Sequence, residues 1–310
     1  MHPAFSILFF TTLAGSAQGL VVALAMSRLL GVVMAPGFLL QSLAIAELLL
    51  LAGLGASFLH LGRKTRAWRA VLMWRTSWMS REVIILPAFI AWVAGWWLAE
   101  SSAVGEPWCT LLPILAVAGA VALWYCTAMI YACLRFIEEW AHPLTIVNFT
   151  LIGLSSGLLL ACALGVLASE AALVQAATPW ALLLTLLAWA TRTLALRRNA
   201  GLRHKSTLQS ATGIQAPKLV QTSMGMSAGS FNTREFFHGA KLATVQNVKL
   251  GFIWLAFAVP VLMLMLALAT HSSLPLLLAV LAQAPGLIAE RWFFFAQAKH
   301  PQNLYYQVVG

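Results

Sequence analysis

His60 and Glu82 bracket an unusual stretch, SFLHLGRKTRAWRAVLMWRTSWMSREVI over residues 57–84. Only 9% of the 310 residues are charged, yet six Lys/Arg fall between Arg63 and Arg81. A histidine and a carboxylate at the ends of successive apolar segments can hydrogen-bond a carbonyl oxygen and exchange protons near neutral pH. Glu290-Arg291 adds a second carboxylate and a guanidinium. On a helix that begins at residue 274, the pair lies about 24 Å along the axis, which brings it to the same level as His60 and Glu82. Ionisable groups in apolar spans cost a few kcal/mol and tend to face cavities or proton pathways. His60, Glu82, Glu290 and Arg291, with Arg81 beside them, are therefore expected to converge near one face. The chemistry they suit is quinone binding, in which two carbonyl oxygens need hydrogen-bond partners and two protons travel with two electrons. Glu47 differs. It lies about 15 Å from the outer end of its segment, near mid-membrane, where it serves either as a proton relay or, the favoured reading, as a structural group held against a neighbouring helix.

These residues are positioned by apolar helices. Hydrophobic residues make up 61% of the chain, against about 45–50% in soluble domains, and the mean hydropathy is +0.85. This excludes a water-facing fold. The expected class is all-α, a single integral membrane domain over 1–310, with eight spans at about 5–27, 37–60, 82–99, 111–135, 145–168, 174–196, 250–270 and 274–298. The first segment has no basic leader region and no small-residue cleavage site, so it is read as a retained helix. Pro36-Gly37, Glu106-Pro107, His142-Pro143 and Thr178-Pro179 are read as breakers between spans. Four cysteines with no C-x-x-C spacing give no iron–sulfur or zinc motif.

All nine acids are Glu, and the pI is 10.0. The cations sit in connectors beside apolar spans, which points to membrane topology and partner docking rather than nucleic acid. Of the 19 Lys/Arg, 18 fall on one side of an eight-span chain and Arg28 alone on the other. The positive-inside rule then places both termini and both basic connectors in the cytoplasm; the membrane expected is the bacterial cytoplasmic (inner) membrane. In the 61–81 connector, Ala67, Val71, Trp74 and Trp78 share a helical face. This predicts an interfacial amphipathic helix with indoles at headgroup depth. Arg63, Lys64, Arg66 and Arg69 are its docking candidates, and the segment also attracts anionic lipid. The 197–249 connector is long and basic. Its FNTREFF motif, with Arg234 and Glu235, and His238 just beyond, is read as a docking element or as a turn resting on headgroups.

ASFLHLG…RAW, the later SREVI and the closing AERWFFFAQ resemble the membrane-anchor subunits of molybdenum enzymes in the dimethyl sulfoxide reductase family. The resemblance covers most of the chain. It implies an anchor with no redox centre of its own, partnered on one face by an iron–sulfur subunit and a molybdopterin catalytic subunit. It also implies a quinone site (ubiquinone or menaquinone) in which the histidine of H-L-G, His60, and the glutamate opening span three, Glu82, take part. The long connector carrying SFNTREFFHG resembles anchors of cytoplasmic sulfite-oxidising complexes, whose electrons pass to quinone. The alternative is the anchor of a quinol-driven reductase. A di-haem anchor needs histidines facing each other within spans; here six of the seven lie at ends or in loops, so no haem is expected. A secondary transporter, the rival from another class, needs repeat symmetry around a mid-membrane site, and no convincing repeat is visible.

Overall fold

The computed structural model describes residues 3–59, 61–102, 105, 107–203, 205–220 and 239–301. Among these, eight helical segments are long and apolar enough to cross a membrane. They are α1 (Phe5–Leu29), α2 (Pro36–Leu59), α3 (Trp78–Ser101), α4 (Trp108–Ala132), α5 (Pro143–Leu167) and α6 (Ala171–Ala200). The seventh span runs through α8 (Leu242–Phe252) and α9 (Val259–Thr270), and the eighth is α10 (Leu274–Ala296); α7 (Leu208–Thr212) is a short surface turn. Each expected span is present, with ends displaced by a few residues except at the seventh, which begins at Leu242 rather than near 250.

Helices α1 and α5 form the centre of the bundle. They can touch because glycines face each other: a Cβ on Gly157 would lie 2.0 Å from the carbonyl carbon of Gly19. Small residues at a crossing let two backbones approach closely where lipid supplies no hydrophobic drive. Ser16 donates to Ser156 across the same crossing at 3.1 Å. Around this pair, α2 packs on α1, α3 on α2 and α4, α6 on α5, and α10 on α5, α9 and α1.

The seventh span is broken by a π-helical turn, Ile253–Ala258, between α8 and α9. Pro260 follows it and has no N–H to donate to the Ala256 carbonyl. Gln283 of α10 supplies that bond at 3.4 Å and also donates to Ser155 at 3.3 Å. Gly286 makes the approach possible, since a Cβ there would sit 2.3 Å from the Ala256 nitrogen.

Three expectations change. The connector after α2 forms a 3-10 helix over Lys64–Met73 rather than an α-helix reaching Trp78. Ser77 instead caps α3, its hydroxyl accepting from the Ser80 N–H at 3.3 Å, so Trp78 opens the third span. Thr178-Pro179 lies inside α6, where the Thr178 hydroxyl bonds back to the Val174 carbonyl at 2.6 Å, so this pair separates nothing. Arg192, counted among the connector cations, is a buried residue of α6. On the opposite face the single cation Arg28 meets Glu100 at 3.6 Å.

Candidate functional site

Glu82 lies in the second turn of α3, close to the end of the bundle that carries the basic connectors, and is buried. The Thr127 hydroxyl of α4 donates to one of its carboxylate oxygens. A carboxylate taken out of water needs such a partner, because an unsatisfied buried polar group costs more than a satisfied one contributes. His60, expected beside it, lies outside the described residues, as do Arg234, Glu235 and His238. Arg81 turns the other way. Its Nε donates to the Trp74 carbonyl and its Nη2 to the Arg75 carbonyl, both at 2.9 Å, and its guanidinium lies 4.1 Å over the Trp78 ring. It clips the end of the connector to the start of α3.

Glu290 and Arg291 are both buried, but Glu290's closest partner is one that sequence reasoning missed. Arg192 Nε lies 2.6 Å from Glu290 Oε1, while Arg291 Nε lies 3.6 Å from Glu290 Oε2. The guanidinium of Arg291 is seated 3.8 Å over Phe149. Two guanidiniums thus share one carboxylate within the bundle. Phe149 belongs to an aromatic cluster with Tyr131, Trp140, Phe294 and Phe295, in which Tyr131 stacks on Phe149 at 5.6 Å between centroids. The Trp140 indole N–H donates to the Phe294 carbonyl at 3.0 Å, fixing the 133–142 turn to α10. The AERWFFFAQ ending is therefore both ionic partner and aromatic floor.

Two cavities, each of about 10 Å³, flank Arg291. The inner one is lined by Thr11, Gln18, Trp124 and Thr127, with Phe149 and Arg291. The outer one runs from Arg192, Glu290 and Asn148 to the half-exposed His142, Arg198 and Gln297, again with Phe149 and Arg291. Each holds roughly a single water, so neither admits a quinone ring. The exposed Tyr125 of α4 stands edge-on to Trp78 of α3 at 5.3 Å. The last span packs on α5, α9 and α1, whereas α3 packs on α2 and α4.

His142 caps α5, its Nδ1 accepting from the Leu144 N–H at 3.2 Å. Burial, and then the nearby Arg198 charge, hold its pKa below the ordinary histidine value of 6.5. Arg198 donates to the Glu138 carbonyl at 3.0 Å, and the Glu138 carboxylate accepts from the Lys205 N–H at 3.0 Å, joining the 133–142 turn to the 197–249 connector. Glu47 is half-buried in α2, and its Oε2 has no hydrogen-bond partner among the described residues. Arg63, Lys64, Arg66 and Arg69 are exposed, with Trp68, Leu72, Met73 and Trp74 exposed among them.

Comparison with known proteins agrees with this architecture. A profile of the family described as DMSO reductase anchor subunit (DmsC) matches residues 1–297. A sulfite dehydrogenase subunit from Allochromatium vinosum is 45% identical over 326 aligned positions, covering 100% of both chains.

Proposed function

We propose, for a chain that belongs to the DMSO reductase anchor subunit family, that it binds quinone at Glu82 and passes electrons to it from an iron–sulfur partner. The electrons come from sulfite, oxidised at a molybdopterin subunit beyond that partner. One observation carries this reading: a buried carboxylate, bonded to Thr127, stands at the bundle end that bears the exposed cationic connector. A lone carboxylate there serves proton chemistry better than packing. The likeness to a sulfite dehydrogenase subunit supports sulfite as the electron source.

In this reading Glu82 handles protons for the quinone carbonyls and His60 binds one of them. Arg63, Lys64, Arg66 and Arg69, with the 197–249 connector, dock the partners through their positive field. Those partners lie on the cytoplasmic face, and the membrane is the bacterial inner membrane, a placement that the charge asymmetry supports. The test is purification of the tagged chain from its own membranes in mild detergent. A molybdopterin subunit and a cluster-bearing subunit in stoichiometric amounts, with sulfite-dependent quinone reduction, is the expected result. Charge reversal at Arg63, Lys64, Arg66 and Arg69 should release both subunits at lower salt. A chain that purifies alone and folded would contradict the proposal.

A further inference from the structure

The interior of the bundle holds polar atoms that packing does not explain. At the inner cavity, Gln18 uses its Nε2 on the Ala14 carbonyl at 2.9 Å, and its Oε1 has no partner among the described residues. The Trp124 indole N–H has none among them either, and both side chains are only 2% exposed. At the outer cavity, the Nη2 of Arg192 and the Nε2 of Gln297 also have no partner among the described residues. Buried groups of this kind are expensive unless something bonds them. Both cavities have the room and the two to four polar partners that a water needs, roughly one water each.

The placement of these cavities gives them a direction. The inner one reaches Thr127, whose hydroxyl bonds Glu82. The outer one reaches His142, Arg198 and Gln297 at the connector face. Arg291 and Phe149, stacked on each other, line both and divide them. Tyr131 stacks on Phe149 at 5.6 Å and so packs against the divider.

We infer that the two cavities are the halves of a hydrated proton path from the connector face to Glu82, divided by Arg291. This rests on the reading of Glu82 as the proton-handling group of a quinone site. Reduction of one quinone takes two electrons and two protons, one proton to each carbonyl oxygen. The electrons come from the reduced iron–sulfur cluster of the partner, and the protons travel by this path. A guanidinium keeps its proton, so Arg291 orients water rather than relaying. The proton passes between water, the Thr127 hydroxyl and Glu82, and the ion pair with Arg192 holds Glu290 against the divider. Because the path opens on the connector face, proton uptake occurs on the electron-entry side and carries no charge across the membrane.

The experiment is X-ray radiolytic labelling of the purified complex in H₂¹⁸O, with Trp96 and Phe89, both 0% exposed, as buried references. Trp124 and Phe149 should incorporate label several-fold faster than these references. In parallel, Thr127→Val should slow quinone reduction by on the order of 100-fold, with unchanged quinone-analogue affinity, and Thr127→Ser should restore it. If Trp124 and Phe149 label no faster than Trp96 and Phe89 while Glu82→Gln still abolishes quinone reduction, the path is wrong and the quinone site survives. If they label and Glu82→Gln reduces quinone at the normal rate, the quinone reading fails, and the inner end of the path with it.

Discussion

Arg192 of α6 and Glu290 of α10 meet at 2.6 Å, both almost wholly buried. The contact ties the end of the last span to the sixth, and α6 and α10 share no long packed face of their own. Desolvating two charges is costly, and their attraction offsets the cost only while both are present.

Removing one partner should therefore be worse than losing a surface pair. Arg192→Leu leaves Glu290 with only the longer contact to Arg291 and is expected to cost about 3–5 kcal/mol. Thermal unfolding of the anchor in detergent, followed by near-ultraviolet circular dichroism, would show the loss. Arg63→Leu, at an exposed position, should change stability by less than about 0.5 kcal/mol.

The central crossing makes a second demand. Gly157→Ala would drive a methyl group into the Gly19 backbone, whereas Gly95 has nothing within 4 Å of an added Cβ. The yield of folded, monodisperse anchor should fall sharply for Gly157→Ala and hold for Gly95→Ala. Equal yields would mean that α1 and α5 do not meet at these glycines.

Acidification should loosen the start of α5. His142 has its pKa depressed in the folded chain, so the unfolded chain binds the extra proton first. Its contribution is complete above about pH 6.5, the ordinary value, and is lost as pH falls from there through the depressed one. Protonated Nδ1 can no longer accept from the Leu144 N–H. His142→Asn keeps a capping acceptor and should flatten the pH dependence of stability between about 7 and 5. An unchanged slope would show that another group titrates there.

The spans were legible in the sequence because hydropathy reports a bilayer crossing directly. Glu82 was legible too, as an acid opening an apolar segment. Its partner was not, since Thr127 is one of many hydroxyls in spans and only the α3–α4 packing selects it. Arg192 escaped notice because it is followed closely by Arg197 and Arg198, so composition assigns it to the connector. The signal available was its spacing: five residues before Arg197, it sits about 12 Å inside the end of α6. The 3-10 conformation of Lys64–Met73 leaves no mark in the side-chain periodicity, and the π turn at Ile253–Ala258 sits where Gly286 and Gln283 of the last span pack against it, a contact that no periodicity records. Pro179 misleads for a related reason, because neighbouring groups in a bundle re-satisfy the backbone that a proline frees.

The most direct test of the central claim separates electron entry from quinone reduction in the purified complex. Glu82→Gln and wild type would each be given sulfite, with the partner's iron–sulfur clusters followed by electron paramagnetic resonance and quinol by absorbance. The expected result is clusters reduced to the wild-type extent in the variant, with quinol formation down by on the order of 100-fold and weakened binding of a quinone analogue. Wild-type quinol formation and analogue binding in Glu82→Gln would contradict the assignment of the quinone site to this end of α3.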